Sequence, residues 1–208
     1  MNNKSIDINQ RIPIETLAAA LESYLNDSYS NDYIIEQLRL DFSGENRLKK
    51  ALRIVNKIIP QSPLNELLLE NKEEIKNIIK KKADRNVILI ALLNSAFSFS
   101  FEVLKTFGKF FAVQDMVNTQ TIKKPISDVY GGNRATENAL YSVVPMFIEG
   151  GFFSRPKTGI YQSAEPIKIS SALTVEIYKE SFKLNNAYNS LNEYQMRDPY
   201  FFFVGDSM

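Results

Sequence analysis

Seven consecutive residues, Val87-Ile88-Leu89-Ile90-Ala91-Leu92-Leu93, leave no polar position at any helical angle. A helix that is apolar all round has no face to give to water, so other elements must cover it on every side. The apolar run reaches Leu104 and, at about 18 residues, approaches the length of a membrane span. Asn94, Ser95, Ser98, Ser100 and Glu102 interrupt it. Ser98-Phe99-Ser100-Phe101-Glu102 reads as a helix boundary, because Ser caps well and Glu suits a first turn. Two buried helices are therefore expected instead of a span, with no membrane contact. Met1-Asn2-Asn3-Lys4 leads into polar residues without an apolar signal core, so a cytoplasmic location is expected.

The composition can supply such a surround. Of the 208 residues 44% are hydrophobic and 12% aromatic, enough for a dense core in one domain or two small ones. The chain has no Cys, which excludes disulfides and thiolate-held metals. It has no His, the most frequent general base and the commonest metal ligand, so Ser-His-Asp and Cys-His constellations are excluded. Glu73-Glu74, Asp128 and Glu137 lack metal-motif spacing, and Gly131-Gly132 lacks the further glycines and lysine of a phosphate-binding loop. No catalytic residue, metal or cofactor is assigned, and a non-enzymatic protein is expected. Net charge is +1 but unevenly spread. Residues 1–43 carry three basic and seven acidic residues, whereas residues 44–85 carry eleven and six. Clustered cations are the footprint of a phosphate-binding surface, although a solvated helix face gives the same pattern.

Helical spacing and punctuation divide the chain. Pro13 opens a first helix with Ile14, Leu17, Ala18, Leu21 and Leu25 on one face, closed by Asn26-Asp27-Ser28. Ser30 or Asn31 caps a second helix carrying Ile34, Ile35 and Leu38. After the turn Asp41-Phe42-Ser43-Gly44, a third turns Leu48, Ala51, Leu52, Val55, Ile58 and Ile59 inward. Its outer face holds Arg47, Lys49, Lys50, Arg53 and Lys57, and Pro60 stops it. A basic helix after a glycine turn has the parts of a helix-turn-helix, so Arg47 and Lys50 are candidate DNA contacts. Leu64–Leu69 reads as a short helix. Asn71 is expected to cap a helix to Lys82, with Lys80-Lys81-Lys82 suiting its negative end. Asp84 is expected to cap the apolar helix.

From Phe101 the order is helix, short strand Met116-Val117-Asn118, helix capped by Thr119, Gly131-Gly132 turn, helix capped by Asn133, then a hairpin. Pro125 is expected to shorten or kink the middle helix, and Pro145 brings the same doubt to the next. Gly150-Gly151 ends that helix. Phe152-Phe153-Ser154 and Gly159-Ile160-Tyr161 pair around Arg155-Pro156-Lys157-Thr158. Ser170 or Ser171 opens a last helix with Leu173, Ile177, Tyr178 and Phe182. Tyr200-Phe201-Phe202-Phe203-Val204 is too apolar for water and must dock on the protein or a partner.

Residues 101–161 in this order resemble the winged helix-turn-helix superfamily. Tyr33-Ile34-Ile35-Glu36, Asn46-Arg47-Leu48-Lys49-Lys50 and Gly150-Gly151-Phe152-Phe153 extend a likeness over most of the chain. It is similar to the BrxA family, small accessory proteins of bacteriophage-exclusion (BREX) defence systems. The resemblance implies a mainly α fold: a helical N-terminal unit (1–98) packed on a winged helix-turn-helix with a small hairpin (99–170), then a C-terminal helix and docked tail (171–208). It implies a non-enzymatic protein that binds double-stranded DNA within a multi-component phage-defence system with protein partners. A transcriptional regulator would carry the same wing, and a structural adaptor would use it on a protein partner.

Within that layout Arg134, Glu137, Asn138 and Tyr141 fall at i, i+3, i+4 and i+7 on one outer stripe. Arg can bond a guanine edge bidentately and Asn an adenine edge. Asn133 and Thr136 lie at the helix start, where N–H groups favour phosphate. Arg155, Lys157 and Thr158 at the hairpin tip, with Lys123 and Lys124 on the preceding helix, complete the expected contacts.

Overall fold

The apolar run becomes the helix around which the others assemble. The computed structural model describes residues 6–205, so the polar start read at Met1–Lys4 lies outside the described residues. In chain order the elements are α1 (Ile14–Leu25), α2 (Asn31–Arg39), α3 (Glu45–Ile58), α4 (Asn65–Glu70), α5 (Lys72–Ile78), α6 (Lys82–Ala96) and α7 (Ser98–Phe111). Then follow β1 (Met116–Asn118), α8 (Thr119–Tyr130), α9 (Arg134–Gly150), β2 (Phe153–Lys157), β3 (Ile160–Ser163) and α10 (Ala172–Asn186). Short 3-10 helices cover Gln195–Arg197 and Pro199–Phe203. The described chain is mainly helical with one small antiparallel sheet.

Val87 to Leu93 are all 0% exposed. α6 packs against α1, α3, α7, α9 and α10, which is the cover an all-apolar helix requires. Phe97 is extended between α6 and α7, so the apolar stretch is two helices, as expected. No helix among the described residues is long and apolar enough to cross a membrane. The buried side chains form one cluster from Ile8 to Val204.

The buried polar groups of α6 each hold a neighbour. Asn86 donates to Gly150 O at 3.3 Å, at the end of α9. Asn94 donates to the Tyr200 hydroxyl at 3.2 Å and accepts from Ser100 at 2.6 Å. Asp84 departs from its expected role. α6 begins at Lys82, so Asp84 sits inside the first turn and points its carboxylate at α10. It accepts from Ser170 N at 3.1 Å, Ser171 N at 3.2 Å, Thr174 Oγ1 at 2.9 Å and Ser170 Oγ at 2.7 Å. A buried carboxylate needs such donors, and a helix start offers unpaired N–H groups and a positive dipole end. The helix expected from Lys72 to Lys82 is likewise split, since α5 ends at Ile78 and Lys82 opens α6. Asn71 does not cap α5, because its amide donates back to Leu67 O at 3.0 Å.

The N-terminal helices follow their apolar spacing. α1 buries all five expected residues, and Ser30 caps α2 by accepting from Tyr33 N at 3.2 Å. Ile34 and Leu38 are buried, with Ile35 only half-buried. α3 buries Leu48, Ala51, Val55 and Ile58, and adds Ile54 to the expected face. α1 has only Pro13 at its start, which offers no capping side chain. Glu149 from the end of α9 fills that role, accepting from Ile14 N at 3.1 Å and from Arg11 Nε at 2.6 Å.

The sheet has strand order β1-β3-β2, antiparallel throughout. Val117 pairs with Tyr161 and Phe153 with Ser163. The register shifts between Ser154 and Lys157, where Pro156 has no N–H to give. Phe153 stacks on Phe107 of α7 with ring centroids 4.2 Å apart, and Tyr161 meets the same ring edge-on at 5.1 Å. The aromatic tail docks intramolecularly. Pro199–Phe203 packs along α7, with Tyr200, Phe201, Phe203 and Val204 buried. Gly108 permits this approach, because a Cβ there would lie 2.0 Å from Pro199 O. Tyr178 stacks on Tyr200 at 4.5 Å and donates to Tyr200 O at 2.8 Å.

Candidate nucleic-acid interface

The residues singled out between Lys123 and Thr158 lie on three elements that meet. α8 is capped by Asn118, not Thr119: the Asn118 side chain accepts from Thr121 N at 2.9 Å. Thr119, the first helical residue, instead holds the hairpin turn, because its N–H donates to Gly159 O at 2.9 Å. Gly159 takes φ +80°, a conformation that other residues adopt only with strain. Both prolines are carried within their helices, and α8 reaches Tyr130 and α9 reaches Gly150. Each removes one donor, for the carbonyls of Thr121 and Tyr141. Those residues are half-exposed and exposed, so water can take the donor's place. Of the two expected effects of Pro125, shortening does not occur, since α8 continues to Tyr130.

Asn133 caps α9 as expected and accepts from Ala135 N at 2.9 Å and Thr136 N at 3.1 Å. That cap occupies the very N–H groups expected to favour phosphate. Thr136 is fully buried and its hydroxyl donates to Gly131 O at 2.6 Å, so it faces the protein and offers nothing to a ligand. Ala135 is exposed and the buried face of α9 begins one residue later, at Thr136. Glu137 and Lys123 form an ion pair between α9 and α8, so each neutralises the other. Arg134, Asn138 and Tyr141 keep the outer stripe and are exposed, Tyr141 at 67%. Lys124, Arg155, Lys157 and Thr158 are exposed as well. Among the described residues, Arg155 and Lys157 have no acidic partner.

The structure thus brings Arg134, Asn138 and Tyr141 onto one helix face, with Lys124 on the neighbouring helix and Arg155, Lys157 and Thr158 on the hairpin. Tyr141, Arg155 and Thr158 also border a cleft of about 180 Å³ between α8, α9 and the hairpin. Ile122, Leu140 and Val144 form part of its apolar wall. Sequence spacing did not reveal this cleft; its one signal was the mixture of apolar and polar residues at neighbouring angles of α9. Arg47 and Lys50 lie elsewhere, exposed on α3, which packs chiefly against α2 and α6. No family model, curated protein or solved structure matches the chain.

Proposed function

We infer that α7 through β3 form a winged helix-turn-helix and that the protein binds double-stranded DNA without catalysing a reaction on it. One observation carries this reading: the order α7-β1-α8-α9-β2-β3, with the sheet ordered β1-β3-β2 and the hairpin turn pinned to the start of α8. A helix of that position enters a major groove while the hairpin follows the backbone. Arg134, Asn138 and Tyr141 face base edges, and Lys124, Arg155, Lys157 and Thr158 meet phosphates. The fit supports a role as an accessory component of a BREX-like phage-defence system, a setting that rests on the sequence resemblance. A net charge of only +1 favours a second reading, an adaptor that holds a protein partner with the same surface.

Titration of a mixed duplex pool at two salt concentrations tests the proposal. Duplex binding that weakens steeply with salt is expected. Failure to bind duplex even at ~50 mM salt removes the DNA reading and puts the adaptor ahead.

A further inference from the structure

We propose that the cleft between α8, α9 and the β2–β3 hairpin binds a small apolar carboxylate, a single ring or a short chain, whose charge is met by Arg155. Size is the first argument. The cleft measures about 180 Å³, and an apolar cavity of about 150 Å³ is enough to hold a benzene. Its interior is apolar, with Ile122, Leu140 and Val144 on the two helices and Tyr161 on β3. Water there would find few partners, so an apolar body displaces it favourably.

Charge is the second argument. Three ionised side chains border the cleft: Lys123, Glu137 and Arg155. Lys123 and Glu137 cancel in their ion pair, which leaves one positive charge. Arg155 sits at the shifted register beside Pro156, without an acidic partner among the described residues. A planar guanidinium matches a carboxylate through two parallel hydrogen bonds. The Thr158 hydroxyl borders the same opening and can add a third. An apolar body with one carboxylate is the chemistry that fits both features.

Position gives the cleft a consequence, which rests on the proposed DNA reading. Its walls are the helix and hairpin that would contact duplex, and Arg155 cannot serve a phosphate and a ligand carboxylate together. Ligand and duplex therefore compete.

The test begins without DNA. Benzoate and its uncharged counterpart benzyl alcohol are titrated into the full chain and followed by NMR. Benzoate is expected to shift the methyl signals of Leu140 and Val144 saturably. Benzyl alcohol should bind about tenfold more weakly, the scale of a lost charge-assisted hydrogen bond. Arg155→Ala should lower benzoate binding to the level of the alcohol, while Lys168→Ala, at an exposed position outside the cleft, should not. Val144→Phe, which fills the cleft, should abolish both. Absence of saturable shifts at these methyls, or benzoate binding unaffected by Arg155→Ala, overturns the proposal. Duplex is then added. Benzoate should weaken duplex binding by wild-type protein and not by Val144→Phe. Protein that binds benzoate but no duplex upholds the cleft and sinks the DNA reading, whereas protein that binds duplex but no benzoate sinks the cleft alone.

Discussion

α3 and α9 each follow a glycine at positive φ, Gly44 at +91° and Gly131 at +90°, and each buries one apolar face. Their outer faces differ. α3 exposes Arg47, Lys49, Lys50 and Arg53, a row of cations on a single helix. α9 exposes one cation, Arg134, beside Asn138 and Tyr141, yet α8, the hairpin and a cleft flank it. Attraction to phosphate needs charge alone. Discrimination among bases needs mixed donors at set spacing, held by neighbouring elements. α3 has the first property and α9 the second, so under the proposed DNA reading the denser charge does not by itself mark the base-reading helix.

The supports of the two helices also differ, and the largest expected effect lies there. The sheet beside α9 rests on Phe107 of α7, and the aromatic tail packs on α7 with Phe203 also reaching Phe153 of the sheet. Phe203→Ala should cost about 3–5 kcal/mol in denaturant unfolding. Gly108→Ala should displace the 199–203 turn, because its Cβ would meet backbone, and destabilise by about 1–3 kcal/mol. If both variants unfold like wild type, α9 is no better braced than α3 and the contrast fails.

Alkaline titration touches both regions. Burial pushes the phenols of Tyr29, beside α3, and Tyr200, within the docked tail, up to about 12. The unfolded chain ionises first, near pH ~10. The stabilisation is therefore whole below that pH and is lost as pH rises towards the folded value. Chemical denaturation should show steady stability to about pH 9 and a decline between about 10 and 12. Tyr200→Phe should flatten the decline more than Tyr29→Phe, since Tyr200 is 0% exposed and Tyr29 is only partly buried. Equal flattening would place the two regions on the same footing.

The hairpin and α3 can be compared directly on duplex. Arg155→Ala with Lys157→Ala should lower the log–log salt slope by about two units, one per lost phosphate contact. Arg47→Ala with Lys50→Ala should lower it by less, and an equal or larger drop would move the phosphate-contacting surface to α3. The narrowest effect is expected of Arg134→Ala: a loss of about 1–3 kcal/mol of discrimination at one base position. A uniform loss over all sequences would make Arg134 a phosphate contact instead.

Local pattern alone determined much of this molecule. The all-apolar stretch placed α6 at the centre, glycines marked the ends of α9 and the hairpin turn, and five apolar residues near the C-terminus required a docking place. Each of these follows from neighbours in the chain, because apolar spacing and backbone freedom are properties of consecutive residues. The outer stripe Arg134–Asn138–Tyr141 was legible for the same reason. What tertiary structure decided was the partner of each polar group. Asp84 looked like a local cap, yet its donors lie 86 to 90 residues away. Glu137 looked like part of the contact stripe until Lys123 neutralised it across two helices. Thr136 looked exposed by its place near a helix start, but the Gly131 turn folded its carbonyl onto the hydroxyl. The cleft left only the mixed angles of α9 in the sequence, because its walls come from three elements, two of which meet where Thr119 N donates to Gly159 O. Periodicity tells which face of an element avoids water; it carries no information on which distant donor or acceptor that face will find, since that choice is made when the elements pack.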